Sequence, residues 1–164
     1  MIIISVNWPI FLEIGLIVLF ILAIVVVSTI LLVRTLRKNF KEVYKYQSKL
    51  DIELRKTMNL ITKRTSNSDL KKFENAIVKD LPHEEKKALL GLVEQVYSEI
   101  DKDDPELAYV VETYERLQEI RRIRDGKAII FNHQITMFPF NIYSRIFKIK
   151  KWDLFTHQEK DRSR

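Results

Sequence analysis

Three acids in the segment DKDDPELAYVVE, Asp101, Asp103 and Glu112, stand at positions 1, 3 and 12 of a calcium-loop register. That spacing would gather carboxylates around a hard cation. Pro105 and Glu106, however, occupy the places of a further oxygen donor and of the glycine that the sharp turn of such a loop requires. A helix start accounts for the same residues, with Asp104 as N-cap, Pro105 at the first helical position and Glu106 beside it. The histidines His83, His133 and His157 share no HExxH or other ligand spacing. There is no Gly-rich phosphate loop and no serine in a glycine elbow. Cysteine is absent, which removes thiolate nucleophiles, disulfides and Cys-based metal centres. These residues predict a non-enzyme that needs neither cofactor nor metal.

The arginines of EIRRIRD raise a different kind of chemistry. At helical spacing Arg121 and Arg124 fall among Val110, Tyr114, Leu117, Ala128, Phe131 and Ile135, inside an apolar stripe. Asp51 and Glu84 reach a matching depth in the neighbouring helices. The expectation is a mid-bundle polar layer pairing Arg121 or Arg124 with Asp51 or Glu84, which would fix helix register. An unpaired buried charge costs several kcal/mol, whereas a satisfied pair costs much less. The competing reading lets both long side chains snorkel to the surface. Asn132 also lies near the stripe, where it would set pairing or oligomeric state, or make a local hydrogen bond.

The elements that must position these groups are helices. Three Gly and four Pro in 164 residues leave little material for tight turns, so an all-α fold is expected. The first feature is an uncharged run, IGLIVLFILAIVVVSTILLV, residues 14–33. Twenty such residues span roughly the 30 Å hydrocarbon core of a bilayer. No Lys or Arg precedes the run, as a signal sequence would require, so a transmembrane helix is predicted. Arg34, Arg37, Lys38 and Lys41 crowd its C-terminal side, which by the positive-inside rule leaves residues 1–13 outside and the rest in the cytoplasm. Trp8 is placed as an interfacial anchor. All 28 basic residues and all but one of the 22 acids lie beyond the run, a net +7 that is matched first to anionic lipid headgroups near residues 34–41 rather than to nucleic acid.

Residues 34–155 are expected to form an antiparallel bundle of long helices, with 156–164 a polar tail. Phe40, Val43, Leu50, Leu54, Met58 and Ile61 make one stripe, with Gln47 filling its gap, on a helix continuous with the span. Ser68 is the N-cap of a second helix carrying Leu70, Phe73 and Ile77. Across Pro82 it continues, kinked or as two stacked pieces, through Leu89, Leu92, Val93, Val96 and Ile100. A third helix runs from Asp104 to Met137 and stops at Pro139, and a short amphipathic piece covers residues 141–149. With the chain going out, back and out again, RIFKIKKWDLF would lie at the end far from the span. There Ile146, Phe147, Ile149, Trp152 and Phe155 would cap the apolar end rather than touch a membrane.

A family resemblance enters with these helices in place. SKLDIELRKTMNLI is similar to the Ser-x-Ile-Asp-Val-x-Leu helix of LemA family proteins. Phe131, Asn132, Ile135, Phe138 and Pro139 in FNHQITMFPFN match that family's aromatic-Asn, Ile, Phe-Pro run. Asn141 and Ser144 fit its following small helix. The sequence departs from the pattern at three places: Arg124 and Asp125 stand where the family's earlier aromatic-Asn pair would fall, Lys148 where it has a glycine before the final aromatic segment, and the proline expected after the first motif is replaced near Thr62. The resemblance implies a LemA-like bundle anchored in a bacterial plasma membrane, and no established activity. The functional expectation is a scaffold or adaptor for an unidentified protein partner. The alternative is a homo-oligomeric signal transducer with a dimeric coiled-coil stalk, which a longer outer segment and a sustained heptad would favour.

Overall fold

A computed structural model describes residues 8–65, 68–102 and 104–156. It divides into two compact units, 1–38 and 39–164. The first helix, α1 (Trp8–Thr65), belongs to both. It is followed by α2 (Ser68–Lys71), a 3-10 turn at Val78–Asp80, α3 (His83–Ser98), a second 3-10 turn at Pro105–Leu107, α4 (Ala108–Gln134) and α5 (Phe140–Ile146). Among the described residues the fold is all-α, without strands.

In the first unit residues 11–27 are all exposed, and apart from Glu13 and Gly15 they are apolar. This helix is long and apolar enough to cross a membrane. The side chain of Trp8 lies outside the described residues. In the second unit α1 changes character. Val43, Leu50, Leu54, Met58 and Ile61 recur at three, four or seven residues and are all at most 1% exposed. One α-helical face accounts for every one of them.

Pairs of side chains fix the direction of α4. Glu106 just before it meets Arg64 at 3.4 Å, Arg116 meets Glu53 at 3.5 Å, Arg124 donates to Gln47 at 2.8 Å, and Gln134 accepts from Asn39 at 2.6 Å. Rising numbers on α4 meet falling numbers on α1, so the two are antiparallel over roughly 38 Å of helix. Between them α3 runs parallel to α1. It begins where Lys86 reaches Asp51 and ends where Tyr97 stacks on Tyr114 with ring centroids 3.6 Å apart. The core assembles from Leu50–Ile61 of α1, Leu70 and Val78 of the connection, Leu89–Ile100, then Val110, Tyr114 and Leu117 of α4, and Phe155.

Two expectations change. The second helix is not one long element: after four residues of α2 the chain breaks into turns, and Ile77 is 58% exposed. Pro82 then acts as the N-cap of α3, not as a kink. Leu81 is held extended (ψ 142°), because the pyrrolidine ring disfavours helix at the preceding residue, and the chain reverses there. Glu84 and Glu85 fill the first turn of α3. This extra reversal alters the pass count to out, back, out, back. The C-terminal segment therefore lies at the Asn39 end of the second unit and not at the Thr65 end. Of its six apolar residues only Phe155 is buried, Ile149, Trp152 and Leu154 are half-buried, and Ile146 and Phe147 are exposed.

At the other helix start the local chemistry is that of a cap. Asp104 accepts the Glu106 amide at 2.8 Å with Pro105 between them. Asp103 and His157 lie outside the described residues.

Candidate functional site

The groups with chemical potential converge at the Asn39 end of the bundle. Lys86 on α3 is buried and donates to Asp51 Oδ2 and to the Lys79 carbonyl, both at 3.0 Å. Asp51 Oδ1 accepts from Gln47 Nε2 at 2.9 Å, and Gln47 turns its oxygen to Arg124 Nε at 2.8 Å. Arg124, only 1% exposed, continues through Nη1 to Asp125 Oδ1 at 2.9 Å and to the carbonyl of Asp153. Asp125 in turn accepts the backbone amides of Phe155 (3.3 Å) and Thr156 (3.0 Å) and the Thr156 hydroxyl (3.2 Å). Two cations and two carboxylates thus alternate along one chain of donors and acceptors. Gln47 is the relay, because an amide offers one acceptor and one donor side.

Burying a guanidinium is costly, and burial pushes the Arg124 pKa down from its ordinary value, while Asp125 pushes it back up. What offsets the desolvation is the number of partners. Beside its hydrogen bonds, the guanidinium carbon lies 4.8 Å from the centroid of Phe155 and 5.6 Å from that of Trp152. A cleft of about 230 Å³ opens over this layer, lined by Gln47, His83, Lys86, Arg124, Lys151, Trp152 and Asp153. The His83 ring packs on Phe155 at 4.6 Å.

A second clamp lies two turns further along α4. Asn132 Nδ2 donates to the Trp152 carbonyl and its Oδ1 accepts the Trp152 amide, both at 2.8 Å. Asp125 and Asn132 are seven residues apart, about 10 Å along the helix, and Trp152 to Phe155 in extended form covers about the same length. The two side chains therefore hold one extended strand of backbone against α4. Trp152 also closes on Phe40 at 5.4 Å, and Phe40 on Phe131 at 5.9 Å.

Among the residues singled out from sequence, the structure brings Asp51 and Arg124 into one layer, joined through Gln47 and not directly. It does not bring in the other two. Glu84 is exposed on the first turn of α3, and Arg121, half-buried, meets Glu94 at 3.6 Å. Lys86 takes the role expected of an arginine because it lies one turn before Leu89 and Leu90 on the buried face of α3. Asn132 clamps the C-terminal segment through the Trp152 backbone. Arg34, Arg37, Lys38 and Lys41 are exposed on α1. Sequence reasoning passed over Lys86 and Asp125, and treated Gln47 as filler. The signal was present in Asp125, three residues before buried Ala128 and eight after Leu117. Thr156, assigned to the polar tail, belongs to the site. No family model, curated protein or solved structure matches the chain.

Proposed function

We propose that this chain is a single-pass, membrane-anchored, non-catalytic scaffold or adaptor of the LemA-like type. Its bundle would stand in the bacterial cytoplasm with the N-terminus outside. The observation that carries this reading is the division of α1. One stretch of the helix, 14–33, is uncharged and exposes mostly apolar side chains, and the next buries an apolar stripe inside a folded bundle. A helix built in this way couples a lipid anchor to a folded surface.

Two details support the LemA-like assignment. Lys148, where the family pattern has glycine, has φ 50°, a left-handed backbone that glycine adopts without penalty. Asp125, where the pattern has asparagine, binds backbone amides as its counterpart Asn132 does seven residues later. The polar layer supports a structural role, because each of its charges faces an opposite charge. The signalling alternative needs the α1 stripe for a dimeric stalk, and that stripe is covered by the chain's own α3 and α4.

The test uses the full chain in bacterial membranes. The protein should withstand alkaline carbonate and leave only with detergent. Because the sequence has no cysteine, an Ala88→Cys variant reports orientation cleanly. An impermeant maleimide should label it only after the membrane is opened. A photo-crosslinker at exposed Gln95 should join a discrete protein. Release by carbonate defeats the anchor, labelling in intact cells defeats the orientation, and no discrete crosslink defeats the adaptor role.

A further inference from the structure

The end of the second unit at Asn39 carries apolar side chains that no other described residue covers. Phe138 is 78% exposed, Ile146 65%, Phe147 59%, Met137 51% and Ile142 48%. They lie within eleven consecutive residues, on α5 and the turn before it. Ile142 and Ile146 are one turn apart on α5 and share a face. Folded domains normally scatter such residues singly, so a cluster of this density marks a surface with an occupant.

The cluster is fixed, not loose. Ser144 on α5 donates to the Ile135 carbonyl at the end of α4, at 2.9 Å. Asn132 clamps Trp152 on the other side of it. Between these two ties the left-handed backbone at Lys148 turns the chain, so α5 is presented as a rigid element. Basic side chains border the apolar ones: Arg145, Lys148, Lys150 and Lys151 are all exposed. Apolar side chains rimmed by cations fit the boundary between anionic headgroups and acyl chains, where the former meet the charges and the latter take up the rings and aliphatic groups.

Connectivity selects lipid over other occupants. Asn39 is bonded to Gln134, three residues before Met137. Asn39 lies six positions beyond Val33 at the end of the uncharged run, a stretch of chain that cannot exceed about 20 Å in any conformation. Wherever that run enters a bilayer, the base of α5 is tethered close to the same surface.

We infer that α5 and its preceding turn form a second membrane contact, an interfacial foot that inserts Phe138, Ile142, Ile146 and Phe147 into an anionic leaflet. This rests on the uncharged run being a membrane span, and the experiment separates the two. Full-length chains carrying single spin labels at Ile146→Cys, Leu22→Cys or Ala88→Cys are reconstituted in vesicles of zwitterionic lipid with about one-third anionic lipid, a fraction typical of a charged leaflet. Relaxation by oxygen is then compared with relaxation by a water-soluble nickel chelate. The label at 146 should favour oxygen several-fold more than the label at 88, and should lose part of that preference when Lys148 and Lys150 are both changed to Gln. A label at 146 that behaves like the one at 88, while 22 reports acyl-chain depth, overturns the foot and leaves the anchor standing. A label at 22 in water overturns the anchor reading itself. Shielding of 146 from both reagents with dipolar broadening between chains assigns the face to a second copy, and also overturns the foot.

Discussion

The two ends of the bundle are held together by different physics. Toward Thr65, α1, α3 and α4 meet through Leu54, Met58, Ile61, Leu89, Val93 and Leu117, all at most 1% exposed, in a packing with no directional demand. Toward Asn39, the same helices meet through Asp51, Gln47, Lys86, Arg124 and Asp125, where each contact requires a donor to face an acceptor. An apolar layer tolerates small slips between helices, and a hydrogen-bonded layer does not. The C-terminal segment docks on the second kind, which lets the bundle specify where Trp152 and Phe155 sit.

Arg124→Ala is the largest blow to this contrast. It leaves Asp125 buried without its cation and should cost about 3–5 kcal/mol. Denaturant unfolding of the full chain in detergent reads the loss. In a Trp8→Phe background, emission from Trp152 should also shift to the red as the segment leaves its seat. Arg124→Lys should recover only part, because an ammonium lacks the planar fork that reaches Gln47, Asp125 and the Asp153 carbonyl together.

Leu117→Ala, in the apolar half, should cost about 3 kcal/mol through lost burial and a cavity, with Trp152 emission unchanged in the folded state. If Trp152 moves in this variant as well, the two halves are one cooperative unit and the contrast is broken. Asn132→Ala should cost about 2 kcal/mol, the loss of two part-buried hydrogen bonds to the backbone of Trp152. Far-UV dichroism should hold while Trp152 emission shifts, which would separate docking of the segment from folding of the bundle.

The smallest effect is with pH. Burial raises the pKa of Tyr97 and of Tyr114 above the ordinary 10.0. Folding therefore favours their protonated forms. This stabilisation is complete below pH 10.0 and is lost as pH rises through the raised values, because the native state then holds protons that the unfolded chain has released. The thermal midpoint should fall on that alkaline limb, and a Tyr97→Phe, Tyr114→Phe double variant should flatten it.

Legibility followed the range of the interaction. The buried stripe of α1, the Asp104 cap and the start of α3 at Glu84 and Glu85 depend on neighbours within a few residues, and the sequence displays them. The partner of Asp51 depends on which cation reaches it across the bundle. Depth matching along helices proposed Arg121 or Arg124, while the period of Leu89, Leu90 and Val93 would have pointed to Lys86 on α3. The C-terminal segment was misplaced by one reversal. Pro82 announces a break, but a break alone states neither a kink nor a turn back.

By itself, the sequence determined an all-α chain, an uncharged helical run followed by basic residues, and the faces that α1, α3 and α4 bury, since helix periodicity and capping are local. Tertiary structure alone decided that α4 returns along α1 to Asn39, that Gln47 joins Asp51 to Arg124, and that Asp125 and Asn132 seize the backbone of residues 152–156. Those outcomes depend on which surfaces meet once the chain has folded, and no spacing along a single helix encodes the meeting.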